Sequence, residues 1–234
     1  MTGHGYETRH DARAELHTHR HDSAYAALVL DGHHVEASAD GPVACTPGTL
    51  ILHPRWHAHG NRFGHSGAHV INIELADVSA PESLRAYRVA DLREAREVFL
   101  HAPRRLPELL AVCTANESSL LQDWQHPFLH ALQHGDLPVS LLAKRAGVSL
   151  AHASRAFVKS HGMSPQLLRR ELRARHALAL LGGDEPLAEV AAISGFSDQS
   201  HLHRTVRTIT GQTPAILRQQ IKSVQDASSR TALQ

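Results

Sequence analysis

Histidine is dense in the first half of this sequence, at a spacing that suits metal ligation. Of the 21 histidines in 234 residues, 13 precede residue 124. LHTHRHD places His17, His19 and His21 two residues apart, so a strand there would direct all three imidazoles to one face. HPRWHAHGN repeats this spacing with His57 and His59. Two such strands side by side would offer three or more nitrogen ligands to zinc, iron, nickel or copper.

The second half contains an internal repeat. LLAKRAGVSLAHASRAFVKSHGMSPQLLR aligns with EVAAISGFSDQSHLHRTVRTITGQTPAILR. The offset is 48 residues at Gly147 and Gly195, and 49 residues from Arg155 and Arg204 onward. Each copy predicts a helix, a left-handed glycine turn, an N-capping serine and a second helix. The capping serines would be Ser149 and Ser197, and each copy would form a helix-turn-helix.

Residues 124–221 resemble the AraC/XylS family of transcription regulators, most strongly over PLAEVAAISGFSDQSHLHRTVRTITGQTPAILR. The resemblance implies two helix-turn-helix motifs joined by a long helix, with the second helix of each motif in the DNA major groove. The positions matching the family's DNA-facing ones are Ala151, His152, Ser154 and Arg155 in the first motif, and Asp198, Gln199, Ser200, His201, His203 and Arg204 in the second.

These side chains have the chemistry to read base edges. Arginine and glutamine make bidentate contacts with guanine and adenine, while serine and neutral histidine supply adaptable donors and acceptors. Arg155 and Arg204 could instead contact phosphates or neighbouring helices, because at least half of protein–DNA hydrogen bonds go to phosphate and sugar. Leu202 is predicted to point inward. The candidates for phosphate neutralisation are Lys144, Arg145, Lys159, Arg169, Arg170 and Arg207.

Two positions depart from the family pattern. Ala153 stands where the family usually has leucine, and Val206 stands where it usually has phenylalanine. Smaller side chains leave buried space unfilled, so we expect looser packing of both second helices.

Residues 10–76 resemble a cupin, a small β-barrel that often serves as the sensor of such regulators. His19 and His21 form its His-x-His motif, but Tyr25 replaces the usual glutamate. In the second cupin motif Trp56 replaces a glycine and His59 is retained. The resemblance implies a divalent transition metal on the three histidines, with further candidate ligands at His17, His53 and His57. Tyr25 and Trp56 are assigned to an effector pocket. The alternatives are a pocket for an organic ligand, or histidines that are merely exposed.

The spacing of apolar residues in the sequence changes near residue 78. Short apolar runs broken by Gly, Pro and Asp predict strands before that point, and apolar residues at intervals of three and four predict helices after it. We therefore predict an α+β chain of two domains: a cupin-like β-barrel (jelly roll) over residues 1–78, a helical connector over 79–123, and an all-α double helix-turn-helix domain over 124–234. The amphipathic connector could form a dimer or pack on its own barrel.

Charge also separates the two halves. Residues 1–123 hold 11 Lys and Arg against 16 Asp and Glu, a net −5, while residues 124–234 hold 13 against 7, a net +6. A basic second half suits a polyanion. A polar N-terminus and the absence of an apolar run of about 20 residues predict a cytoplasmic protein without a membrane partner. Cys45 and Cys113 are expected to be reduced packing residues.

The predicted function is sequence-specific regulation of transcription, controlled by a metal ion or small molecule bound in the cupin-like domain. The expected partners are double-stranded DNA, a second copy of the chain and RNA polymerase, and no catalytic residue is assigned. The alternative is a metal-dependent cupin enzyme, an oxygenase or isomerase, fused to a DNA-tethering domain. The missing glutamate weakens that alternative. A metal-responsive repressor would unite both halves.

Overall fold

In the residues that the structure describes, the N-terminal part of the chain forms an antiparallel sheet of eight strands. The computed structural model describes residues 5–76, 81–116 and 120–231, with side-chain surroundings to residue 223. The strands are β1 Tyr6–His10, β2 Glu15–His19, β3 Tyr25–Ser38, β4 Gly41–Cys45, β5 Thr49–His53, β6 His59–Glu74, β7 Arg85–Arg88 and β8 Thr114–Ala115. Their order is β1-β6-β3-β5-β7-β8, with β2 also on β6 and β4 also on β3. The predicted domain boundary between residues 78 and 79 lies outside the described residues.

Two long strands organise this sheet. β3 and β6 pair from Tyr25 opposite Glu74 to Ser38 opposite His59, and the register shifts twice along the way. Such irregularities bend strands and increase their twist. Each long strand has different partners at its two ends: β6 pairs with β1 and then β2, and β3 pairs with β5 and then β4. His59 consequently lies opposite His19 on β2, at one end of the sheet.

A helical layer covers one face of the sheet. It consists of α1 Leu92–His101, a 3-10 turn at Pro103–Arg105 and α2 Leu106–Ala111. Val98 and Phe99 of α1 are buried in the same core as Leu28 and Ile71 of the sheet. The apolar stripe of this helix therefore packs on the protein's own sheet, which accounts for the periodicity without a dimer.

The predicted helical connector over residues 79–123 contains two short strands besides its helices. β7 pairs with β5, placing Tyr87 opposite Leu50, and β8 pairs with β7. β7 is only four residues long and has exposed arginines at both ends, so its sequence shows no strand alternation. β7 forms because its backbone pairs with β5 and so extends the sheet by one strand.

The C-terminal part of the chain is helical, as predicted. The helices are α3 Gln125–His134, α4 Val139–Arg145, α5 Leu150–His161, α6 Pro165–Leu180, α7 Leu187–Ile193, α8 Gln199–Thr210 and α9 Pro214–Thr231. Phe128 and Phe157 lie in one core with Leu168 of α6. Leu202 lies in another core with Ala177 of α6. One long helix thus supports both groups of short helices. No helix in the described part of the chain is both long enough and apolar enough to span a membrane.

Candidate nucleic-acid interface and effector cavity

The helix pairs α4–α5 and α7–α8 are joined by the same turn. Gly147 and Gly195 adopt left-handed φ values of 69° and 74°, which a side chain would disfavour. The amides of Val148 and Phe196 each donate to a carbonyl five residues back, at 3.0 and 2.9 Å. This bond is typical of a helix ending in a left-handed residue. The repeat seen in the sequence is therefore a repeat of backbone geometry.

The N-caps of α5 and α8 differ in residue type and in register. Ser149 Oγ accepts from the amide of His152 at 3.1 Å, as predicted. In the second copy, however, the Asp198 carboxylate accepts from the amide of His201 at 2.7 Å, so the predicted cap Ser197 is wrong by one residue. The second turn is one residue longer than the first, and the offset becomes 49 before α8 begins. The hydrogen bond from His201 is the main cause that lowers the pKa of Asp198.

Both second helices bury a small apolar side and expose a polar one. Ala153 and Phe157 of α5 are fully buried, as are Leu202 and Val206 of α8, which confirms the inward position of Leu202. The predicted DNA-facing residues on the outer sides are Ala151, His152, Arg155, Lys159, Gln199, Ser200, Arg204 and Arg207, all exposed, with Ser154, His201 and His203 partly buried. The two outer faces thus carry three arginines, a lysine and several hydrogen-bonding groups.

Two predicted contact residues have structural roles in the folded chain. Asp198 is committed to capping α8. His201 faces Ser197, with 3.2 Å between Nδ1 and Oγ, and its ring edge packs on Phe196. Among the predicted phosphate contacts, Arg169 donates to the carbonyl of Leu137 at 2.6 Å and so holds the segment before α4.

The curled sheet encloses a cavity of about 150 Å³. Its polar lining includes His19, His21, His53, His59, Tyr25 and Glu36. Pockets for drug-sized ligands are roughly 300–1,000 Å³, whereas an engineered cavity of about 150 Å³ holds benzene. The cavity therefore suits an ion with its waters, or a ligand of about that size.

Two overlapping groups of three histidines share His59. His19, His21, His53 and His59 line this cavity, whereas His57 lines a separate cleft between the sheet and the helices. One ring nitrogen from each of His19, His21 and His59 lies within 4.8 Å of the others, and the same is true of His53, His57 and His59. Burial is the main cause that lowers the pKa of His59, to about 3, and it holds the pKa of His53 well below its ordinary value. Both rings are consequently neutral at neutral pH, in the form that binds a metal.

Two predicted members of this site lie elsewhere. His17 is exposed, because the pairing of β2 with β6 shifts between Leu16 and His19 and breaks the alternation. Trp56 does not line the cavity. It adopts a left-handed φ of 55° at the position where cupins have glycine, and it lines a cleft of about 390 Å³ between the sheet and the helices. Tyr25 does line the cavity, and its hydroxyl donates to His59 Nε2 at 3.0 Å.

A buried carboxyl group in the cavity was not predicted from the sequence. Glu36 Oε2 lies 3.5 Å from His53 Nε2, and both side chains are almost fully buried. Burial, helped by the charge of Asp40, raises the pKa of Glu36 to about 8. Four of the five residues from His34 to Ser38 are buried, including Ala37 between Glu36 and Ser38, so no alternation in the sequence marks Glu36 as buried. An acidic group thus reaches the histidines from β3, although Tyr25 replaces the expected glutamate.

The polar junction between the sheet and α6 was not predicted from the sequence either. Arg20 makes a two-pronged contact with Glu171, at 2.8 and 2.5 Å. Arg175 makes another with Asp40, at 2.9 and 3.0 Å. His57 Nε2 donates to the same Asp40 at 2.9 Å. The histidine cluster is therefore connected to the helix that supports both helix pairs.

Comparison with known proteins places the helical part in a class. Residues 142–220 match a family model described as a helix-turn-helix domain. An uncharacterized HTH-type transcriptional regulator of Staphylococcus aureus is 38% identical over 82 residues, which are 35% of this chain and 11% of that protein. The HTH-type transcriptional regulator GlxA of Rhizobium meliloti (strain 1021) is 38% identical over 79 residues, 33% of this chain and 24% of that protein. The chain spans only these small fractions of the relatives' lengths.

This part of the chain matches a helix-turn-helix domain and is similar to HTH-type transcriptional regulators, which confirms the predicted resemblance for the helical region. Among solved structures, ToxT of Vibrio cholerae O395 is similar with a TM-score of 0.41 at 10% identity, covering 92% of this chain and 96% of that one. The C-terminal domain of AraT from Geobacillus stearothermophilus has a TM-score of 0.41 at 23% identity, covering 44% and 88%. Scores this low do not bear on the fold or on the site.

Proposed function

We propose that this protein is a sequence-specific DNA-binding regulator of transcription, controlled by an effector in the cavity of its sheet. The observation that carries the proposal is the pair of exposed polar faces on α5 and α8, which lie inside the matched helix-turn-helix domain. Both α4–α5 and α7–α8 would act as helix-turn-helix motifs. The basic charge of residues 124–234 would favour approach to DNA.

The recognition helices would be α5 and α8, with Arg155 and Arg204 on base edges and Lys159 and Arg207 on phosphates. The C-terminal end of α5 is docked on the sheet, where Thr18 Oγ1 donates to the carbonyl of Gly162 at 2.9 Å. Its N-terminal half is open, and that is the part of a recognition helix that contacts base edges. Two such helices would enter successive major grooves, about 34 Å apart.

The sensor in this proposal is a cupin-like jelly roll. Its cavity size and histidine lining favour a divalent transition metal or a small polar organic ligand over a long one. His19, His21 and His59 are the ligands that the cupin resemblance implies, and their nitrogens are close enough to share an ion. A homodimer on repeated half-sites and a contact with RNA polymerase stay predictions.

Control would pass through the junction between the sheet and α6. Glu171 and Arg175 both lie on α6, and both pair with side chains of the sheet region. A change at the cavity that shifts these pairs would reorient the helix that carries both motifs. An effector acts in this way only if it binds one arrangement more tightly than the other.

Fluorescence anisotropy with a selected operator duplex, at fixed salt, tests the proposal. Replacing Arg155 and Arg204 by alanine should reduce specific affinity by about 5- to 160-fold per arginine, since one bidentate base contact is worth about 1–3 kcal/mol. Arg170→Ala on the exposed side of α6 is the matched control, and should weaken specific and non-specific DNA equally. If the double variant binds the operator as tightly and as specifically as wild type, Arg155 and Arg204 do not read bases. Catalytic turnover that depends on His19 and His59 but not on these arginines would identify an enzyme instead.

A further inference from the structure

The two histidine groups share His59, so a single ion must use one group or the other. The groups differ in burial. His53, His57 and His59 have relative exposures of 1%, 3% and 2%, whereas His21 is exposed. A buried group holds its rings in fixed orientations, so less side-chain entropy is lost when an ion binds.

The buried group also has unused nitrogen atoms. Nδ1 of His53 and Nδ1 of His57 are buried, and neither finds a hydrogen-bond partner within the described ranges. A buried polar atom without a partner is costly, and such atoms in a folded protein call for an explanation such as an ion. Both atoms belong to one histidine cluster, and a single ion bound there would give both of them a partner.

The opposite nitrogen of each ring faces an oxygen atom. His57 Nε2 donates to Asp40 Oδ2 at 2.9 Å, and His59 Nδ1 donates to the carbonyl of His57 at 3.2 Å. His53 Nε2 lies 3.5 Å from a carboxyl oxygen of Glu36. Histidines that bind metals almost always have this arrangement, in which a carboxylate or backbone carbonyl holds one nitrogen and the metal takes the other.

We infer that a divalent transition metal is bound by Nδ1 of His53, Nδ1 of His57 and Nε2 of His59, where it replaces the hydrogen bond from the Tyr25 hydroxyl. Asp40 is the positioning residue that links this site to α6, because it accepts from His57 and is held by both prongs of Arg175. A cation on one nitrogen of an imidazole strengthens hydrogen-bond donation from the other. Metal binding at His57 therefore tightens the contact with Asp40 and fixes the position of α6. The metal site stands on its own, whereas its control of DNA affinity rests on the proposed function.

Zinc binding to the full chain, without DNA, tests the site directly. Wild-type protein should bind one Zn²⁺ per chain in a competition titration, and cobalt substitution should give the visible absorption of a low-coordinate site. His53→Ala and His57→Ala should each weaken zinc binding by at least tenfold, while exposed His17→Ala should leave it within threefold. Circular dichroism and thermal melts in EDTA verify that every variant is folded.

His21→Ala tests the competing group of ligands. Its zinc affinity should remain at least tenfold above that of His57→Ala. The reverse order would overturn the assignment, as would folded wild-type protein that binds no zinc.

Asp40→Asn tests the link to α6. It keeps the side-chain shape but removes the charge, so zinc affinity should fall by about 10- to 100-fold, as it does for outer-shell partners in general. The zinc-dependent change in DNA affinity expected for wild type should also disappear from this variant at saturating zinc. If wild type binds zinc through the buried group and binds DNA without responding to zinc, the link is refuted and the regulator stands. If it binds zinc but no DNA, the proposed function fails and the metal site stands.

Discussion

His161 lies at the C-terminal end of α5, and its burial makes a positive charge on the ring costly. The Ser160 hydroxyl donates to the carbonyl of Ala156 at 2.9 Å, so it accepts from His161 Nδ1 at 2.8 Å. The ring packs on Phe157 with 5.0 Å between the centroids. Burial lowers the pKa of His161 to about 4, which keeps the imidazole neutral in the folded protein.

This burial predicts a loss of stability in acid. The unfolded imidazole takes up a proton near pH 6.5, while the folded one does so only near pH 4, so the stabilisation is complete above pH 6.5 and is lost as the pH falls. Between pH 7 and 5 the group should lower the free energy of unfolding by about 2 kcal/mol. Urea unfolding should show this loss reduced by that amount in His161→Gln and unchanged in His126→Gln, an exposed control. Equal pH dependence in all three proteins would contradict the account.

Single residues also show which features of the site could be predicted from the sequence and which could not. His19, His21 and His59 were assigned together by motif, and their nitrogens do lie together. Glu36 was missed, because a lone carboxylate in a strand usually faces solvent. Trp56 was assigned to the pocket by its position in a motif, but motif spacing does not fix where a side chain points when the backbone adopts a positive φ.

At the scale of elements, substitutions at Ser149 and Ser197 show directly which serine caps its helix. Ser149→Ala removes the hydroxyl that accepts from the His152 amide, so it should destabilise the protein by about 1 kcal/mol. Ser197→Ala removes the equivalent serine of the second copy, which does not cap α8, and should cost less than half as much. Thermal unfolding of the two variants side by side measures the difference. A larger loss for Ser197→Ala would mean that the sequence alignment, with its cap at Ser197, was correct.

Two arginines of α8 should also differ in how their substitution changes the salt dependence of DNA binding. Arg207 is exposed near the C-terminal end of α8 and is assigned to phosphate. Arg207→Ala should therefore reduce the slope of log K against log salt by about 0.9 and weaken all duplexes alike. Arg204→Ala should instead weaken the selected duplex more than a scrambled one. Binding isotherms at four salt concentrations separate the two effects, and identical behaviour of the two variants would contradict the assignment of their roles.

The helices of the repeat were predictable, whereas β7 and β8 were not. α4 and α7 are only seven residues long, but the repeated pattern of apolar residues, glycine turn and N-cap predicts them, and the apolar spacing after Pro165 predicts α6. β7 carries too few residues to show a period, and its pairing with β5 is a tertiary effect. Ser197 aligns with the N-cap Ser149 but does not cap α8, because one extra residue lengthens the second turn.

At the scale of the whole molecule, the ion pair between Arg20 and Glu171 attaches the helices to the sheet. Glu171 has 4% relative exposure, and Arg20 supplies both of its hydrogen bonds from a side chain that is 27% exposed. Arg20→Ala leaves a buried carboxylate without its cation. The free energy of unfolding should fall by about 2 kcal/mol, less than the roughly 3–5 kcal/mol of fully buried pairs, because Arg20 is partly solvated.

A second substitution separates charge burial from lost packing. Glu171→Met in the Arg20→Ala background removes the unpaired charge at similar volume, so urea unfolding should show at least half of the loss recovered. A double variant less stable than Arg20→Ala would contradict this explanation. The sequence indicated two regions of opposite charge, but it could not predict this contact. Arg20 and Glu171 are 151 positions apart, and no local pattern connects them.

The most direct test of the central claim is selection of bound sequences from random duplex DNA by the purified chain, at one salt concentration, with zinc and with EDTA. The account predicts an enriched motif with two elements about one helical turn, roughly 10 base pairs, apart, in at least one condition. Arg155→Ala combined with Arg204→Ala should abolish the enrichment. A wild-type pool indistinguishable from the starting library in both conditions would contradict the claim that α5 and α8 read DNA sequence.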